Sequence, residues 1–175
     1  MAVIEAISTT YLEADAANVT FPSIPQTYEH LQLRYTLALN ATVNSYQRLW
    51  LGDGSIDTGT NYSNHYMTGH DSTAAASSDT GGTNGIYLGN AVGEIDRSWA
   101  AVTIVDILDY VNTDKNTSVM INTWAGGLNA NADYVYFASG LWDSTAAVDT
   151  IKIDNRYASN FLRGSEFTLY GLNSS

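Results

Sequence analysis

The feature that most constrains this chain is the run from Leu31 to Leu39, in which Leu31, Leu33, Tyr35, Leu37 and Leu39 alternate with Gln32, Arg34, Thr36 and Ala38. Apolar side chains at every second position line one face of an extended strand, whereas on a helix they would spread around the axis. Such a strand has one face to bury and one to wet, so a second layer must cover the first. The run therefore predicts a strand facing a sandwich core.

Other segments repeat the theme. Ala2 to Thr9 and Val19 to Phe21 read as short strands, and Pro22 and Pro25 bracket a turn that cannot join a central ladder. Gln47 to Leu51 alternates through Leu49 and Leu51, then stops at Gly52-Asp53-Gly54, a turn signal. Asn61 to Thr68 carries Tyr62 and Tyr66 in alternation, and Ser72 to Gly85, rich in Ser, Ala, Thr and Gly, reads as an exposed loop with a flexible tip at Gly81 to Gly85. Further strands are expected at Ile86 to Leu88, Ser118 to Trp124, Asp133 to Ala138, Val148 to Ile153 and Glu166 to Tyr170. Ile95, Trp99, Val102 and Val105 fit helical spacing, but Trp99, Ala101, Thr103, Val105 and Ile107 fit strand spacing, and β-branched residues favour the strand. Short strands with Gly, Asn and Asp between them predict an all-β antiparallel sandwich. Residues 21–175 form its single domain, and residues 1–20 a strand or arm packing on that domain or on a neighbour.

Composition narrows the functions. The net charge is −11, and Arg34, Arg48, Arg97, Lys115, Lys152, Arg156 and Arg163 lie scattered along the chain. A phosphate backbone or an anionic membrane would be repelled, so neither nucleic acid nor membrane is expected as a partner. The absence of cysteine removes disulfides, thiolate metal sites and cysteine nucleophiles together. The N-terminus lacks a basic stretch followed by an apolar one, so synthesis in the cytoplasm without an export signal is expected.

Residues that suggest chemistry fall short of a site. His70-Asp71-Ser72 places three triad residue types side by side, but triads are assembled through the fold, and a polar turn is the plainer reading. His30, His65 and His70 lack metalloprotease spacing and read as single surface or core histidines. Asp53, Ser55 and Asp57 resemble the opening of a calcium loop, yet Thr58 stands where the turn glycine belongs and Asn64 where a bidentate Glu is needed. Carboxylates from separate loops still leave a structural cation open. No catalytic residue and no cofactor is assigned. Of the tryptophans, Trp50 and Trp99 lie in apolar strand patterns and are expected in the core. Trp142, in Gly140-Leu141-Trp142-Asp143, is the candidate for an exposed or interfacial aromatic.

Several blocks taken together resemble a broad group of tailed-phage structural proteins. The segment from Phe21 to Arg34 follows that group's F-x-x-IP-x-TY-x-HLQL-R opening. Gly52-Asp53 through Asn61-Tyr62-Ser63-Asn64-His65-Tyr66, then Ile107 to Thr113, then Phe161 to Leu172 match in order, so the resemblance spans residues 3 to 172. It implies a jelly-roll-like sandwich in head-decoration, neck or tail-fibre components, with no catalytic residues to carry over. With neither heptads nor repeats to make a fibre shaft, the expectation is a capsid decoration (cement) protein on the outer capsid surface. It would form a homo-oligomer, a trimer, and bridge major capsid subunits. The alternative is a small tail-fibre or neck component binding host glycan or another virion protein.

Overall fold

A computed structural model describes residues 3–41, 45–70, 72–82, 84–91, 100–126 and 134–174. Among these, every regular element is a strand. In chain order they are β1 (Ile4–Tyr11), β2 (Asn18–Phe21), β3 (His30–Leu37), β4 (Ser45–Asp53), β5 (Ser55–Ile56), β6 (Tyr62–His70) and β7 (Thr73–Gly82). There follow β8 (Ile86–Ala91), β9 (Ala101–Leu108), β10 (Thr117–Ala125), β11 (Tyr134–Trp142), β12 (Thr150–Asn155) and β13 (Glu166–Leu172). The larger sheet has the order β1-β13-β3-β9-β10-β11-β6-β7, and the smaller has β2-β12-β4, with β5 and β8 both on the far edge of β4.

The pairing explains the architecture. β1 pairs β13, β2 pairs β12, β3 pairs β9 and β4 pairs β8, all antiparallel. The chain is thus one long antiparallel ribbon whose successive rungs lie alternately in the two sheets. That is the winding of a jelly roll. Two excursions, β5 to β7 and β10 with β11, interrupt the ribbon. Their long strands join each other and extend the larger sheet beyond β9.

The core follows from alternation. Leu31, Leu33, Tyr35 and Leu37 of β3 point inward and join one cluster with Leu49, Leu51, Ile151 and Ile153 of the smaller sheet. Each buried Leu or Ile contributes about 1.5–3 kcal/mol relative to exposure. Tyr35 stacks on Phe167 at 5.2 Å between centroids. Gln32 is half-buried while Arg34 and Thr36 are exposed, as the sequence pattern requires. Leu39 lies past the strand end, where it bridges Phe161.

The residue 1–20 segment packs on its own domain: β1 zips along β13, Leu12 is buried, and Ala16 bridges Phe161. The expected loop at Ser72 to Gly85 is instead largely strand β7, paired to β6 from Thr73 to Gly82. It lacks alternation because both its faces are largely exposed, so burial imposes no pattern on its side chains. The strand reading of the ambiguous segment holds at β9, while Ile95 and Trp99 lie outside the described residues, as do Ala2 and Asp133.

Three of the four blocks that carry the phage resemblance, 21–34, 107–113 and 161–172, contact one another. Tyr110 donates its hydroxyl to the Pro25 carbonyl and accepts from Tyr28 N–H at 3.4 Å. Gln26 Nε2 bridges the carbonyls of Ile24 and Val148 at 3.0 Å each, and His30 Nδ1 accepts from Asp109 N–H at 3.0 Å. The Tyr28 ring lies against Gly171, where a Cβ would come within 2.3 Å of Tyr28 Cγ. Gly171 therefore serves close approach rather than a bend, whereas Gly164, at φ 92°, does require left-handed backbone. These motifs build the fold.

Candidate functional site

Strands β9, β10, β11 and β6 each place alternate residues on the outer face of the larger sheet. Water would favour polar side chains there, but many are apolar. Val102, Trp124 and Val135 stand side by side across three strands, and the next row runs Ile104, Asn122, Phe137, Met67 and Ala76. Trp124, Phe137 and Met120 are each 54% exposed and Met67 is 60% exposed. The apolar side chains are therefore contiguous, unlike the scattered apolar residues of an ordinary surface. Between Met120, Phe137, Met67 and Ala76 runs an open groove of about 780 Å³. A second, of about 490 Å³, lies along Val135, Phe137, Gly69 and Ala74.

Chemistry changes across β9. On the β13 and β3 side, Gln32 Nε2 donates to Asp106 Oδ1 at 2.6 Å, Arg34 Nε donates to Gln32 Oε1 at 2.6 Å, and the Arg34 guanidinium lies 5.1 Å from the Tyr170 ring centroid. On the β10, β11 and β6 side the outer positions hold no Asp, Glu, Lys or Arg: Ser118, Met120, Asn122 and Trp124, then Val135, Phe137, Ser139 and Leu141, then Ser63, His65, Met67 and Gly69.

Beneath this face the inner side chains are held firmly. Tyr136 is 1% exposed, and burial pushes its hydroxyl pKa far up. Thr103 and Thr123 share a hydrogen bond of 2.9 Å inside the sheet. Gly89, at φ 104°, lets β8 pass against Thr123, where a Cβ would come within 2.9 Å. The outer apolar residues thus stand on a rigid support.

The residues singled out in the sequence fall elsewhere. Trp142 is not an exposed aromatic: it is 2% exposed, and its Nε1 donates to Asp57 Oδ2 at 2.9 Å. Its position near the end of β11 places it on the inner side, and a buried indole N–H needs an acceptor. Asp57 also accepts from Gly59 N–H at 2.8 Å and Asn61 Nδ2 at 2.7 Å. The calcium-like segment is thereby a hydrogen-bonded loop knotted to Trp142, with Asp53 in the β4–β5 turn. The Tyr62 hydroxyl accepts from Leu51 N–H at 3.1 Å and donates to the Asp57 carbonyl at 2.8 Å. Among the described residues no group of three or more His, Asp or Glu could hold a metal ion.

His70 stacks on Tyr134 at 4.2 Å at the end of β6, Ser72 lies in the following turn, and Asp71 is outside the described residues. His65 is on the apolar outer face, while His30 sits beside Asp109, whose carboxyl is held below its ordinary value first by a hydrogen bond from Lys115. Trp50 is in the core as expected, 5% exposed, with Arg48 and Lys152 at 5.0 and 5.8 Å from its ring. Arg48 and Lys152 both pair with Asp154, at 2.8 and 2.9 Å, so cations scattered along the chain converge on the smaller sheet. The outer apolar face was missed by the sequence reading. Its signal was apolar residues at both parities in 102–107 and 119–124, where a half-wet strand should show polar residues at one.

No protein-family model matches the chain, and a search of curated proteins finds no match. Among solved structures, it aligns with the crystal structure of the Emp47p carbohydrate recognition domain, monoclinic form 1. The identity is 6%, over 98% of this chain and 89% of that one, with a TM-score of 0.23. A likeness of that size carries no argument about this chain.

Proposed function

We propose that this chain is a non-enzymatic virion structural protein that decorates the outer surface of a tailed-phage head and bridges major capsid subunits. The observation that carries the reading is the uncharged apolar face around Trp124, Phe137, Met120 and Met67, set on a rigid jelly roll. A face of this kind loses its unfavourable contact with water when another protein covers it. Resemblance of the blocks from Phe21 to Leu172 to phage structural proteins supplies the kind of partner. Quantifying this protein in purified virions tests the location. A copy number comparable with that of the major capsid protein is expected, and mild stripping should leave intact heads with lower heat resistance. Labelling confined to tail tips would overturn the reading in favour of a tail-fibre or neck component. A feature that favours that alternative is Trp124 beside the Asn122 amide, a combination suited to stacking on a sugar. Quenching of tryptophan fluorescence by host glycan, lost in Trp124→Ser, would support it.

A further inference from the structure

The outer face of the smaller sheet collects the charge that the apolar face lacks. Leu49, Leu51, Ile151 and Ile153 turn inward to the core, so the residues alternating with them turn outward. Strand register sets Asn18, Asp154, Arg48 and Tyr87 in one row across β2, β12, β4 and β8, and Thr20, Lys152 and Trp50 in the next. Arg156 extends the first row, its guanidinium 5.4 Å from the Tyr87 ring centroid and 5.5 Å from that of Tyr157. Cations and rings therefore alternate along the face: Lys152 and Arg48 over Trp50, then Arg156 over Tyr87.

The carboxylates nearby do not use up these cations. Asp154 is shared by Arg48 and Lys152, and Arg156, which is exposed, has no ion pair among the described residues. The Tyr87 hydroxyl, pushed up in pKa first by burial, also feels Arg156, Asp79 and Arg48. Three cations thus face two carboxylates, Asp154 and Asp79, and leave a positive excess on a chain of net charge −11.

From this we infer that the outer face of the smaller sheet docks an acidic segment of a partner protein, with carboxylates meeting Arg156 first and Lys152 and Arg48 behind it. Spacing selects the partner. Neighbouring strands lie about 4.7–4.9 Å apart, so the cations follow a line across the sheet instead of converging on one point. A lone small anion would meet one of them at a time, whereas separate carboxylates along a chain meet them in turn. Trp50 and Tyr87 are each 5% exposed, covered too well for a sugar or a base to stack on them. Tyr157 is the open ring, at the end of the row, and an exposed Tyr beside an Arg suits a protein interface. A long polyanion such as nucleic acid would also meet the rest of an acidic chain, while a protein segment can confine its charge to the contact.

This docking stands apart from the capsid reading: a protein that binds acidic peptide but is absent from heads would remove that reading alone. Fluorescence anisotropy of a labelled poly-glutamate peptide with the full chain at low salt is expected to show saturable binding that weakens as salt rises. Arg156→Glu should weaken it about tenfold with unchanged thermal melting. Lys152→Gln, which leaves Arg48 on Asp154, should weaken it by a smaller factor. Arg34→Gln removes the same charge from the larger sheet and should leave binding unchanged. An oligothymidylate of equal length should bind more weakly than the peptide. Absence of peptide binding, undiminished binding by Arg156→Glu, an equal loss in Arg34→Gln and Lys152→Gln, or tighter binding of the oligothymidylate would overturn the inference.

Discussion

The larger sheet has two halves that differ most on their outer side. Under both, the inner residues alternate into one core: Leu33 and Leu169 in the jelly-roll half, Ile121 and Tyr136 in the half added by β10, β11, β6 and β7. Outside, the jelly-roll half is finished for water, with Gln32, Arg34, Asp106 and Tyr170 occupied by one another. The added half presents Met67, Met120, Trp124 and Phe137 to solvent. Folding demands the inner pattern in both halves. It does not demand an apolar outer face in either, so packing of the described core does not account for the outer face of the added half.

A carboxylate placed on each side of the sheet should have the largest and most unequal effects. Leu33→Asp or Leu37→Asp buries an unpaired charge at positions 0% and 1% exposed, costs several kcal/mol against a total stability of about 5–15 kcal/mol, and should abolish soluble expression. Phe137→Asp, on the outer face between Asn122 and Met67, should express and melt close to wild type. Equal melting temperatures for the core variants and wild type would refute the core assignment.

Glycines of the two halves should also respond unequally. Gly171→Ala drives a methyl into the Tyr28 ring and should cost about 1–3 kcal/mol in denaturant unfolding. Gly69→Ala, on the apolar half with nothing within 4 Å of its Cβ, should change stability by no more than about 0.5 kcal/mol. A reversed order would mean that the added half is the tighter of the two.

The double variant Trp124→Ser, Phe137→Ser removes side chains that stand half-exposed on the outer face and outside the core. Its stability should stay within about 0.5 kcal/mol of wild type while binding of an apolar fluorescent dye falls markedly. A large loss of stability would show that these side chains belong to the core after all.

The smallest effect is electrostatic. Burial pushes the Asp57 carboxyl up, but hydrogen bonds from Trp142, Gly59 N–H and Asn61 outweigh it and hold the pKa below the ordinary 3.8. A carboxylate depressed in the folded state stabilises it above the unfolded value, and that contribution fades as pH falls through the folded one. Asp57→Asn should therefore be less stable than wild type at neutral pH, with the difference shrinking below pH 3.8. A difference that stays constant through the acid range would separate the Trp142 contact from the Asp57 charge.

How far the sequence carried depends on burial. β3 was legible because one face is buried and the other wet, so its residues record both environments. β7 was illegible because it is largely exposed on both faces, and its strand character comes from β6 lending it a hydrogen-bonding partner. Trp142 was misread for a related reason: a Gly-Leu-Trp-Asp segment resembles a loop, and only Asp57, distant in the chain, shows that its N–H is satisfied inside.

Alternation, turn residues and the absence of cysteine determined by themselves that the chain is an antiparallel sandwich stabilised by packing, because period-two burial leaves its mark on every strand that has a dry face. Tertiary structure alone decided how the ribbon winds, which excursions lengthen one sheet, that Arg48 and Lys152 share Asp154, and that Val102, Trp124, Val135 and Phe137 form one surface. These relations join residues far apart in sequence through strand pairing. The pattern of one strand specifies which of its faces is buried but not which strand lies beside it.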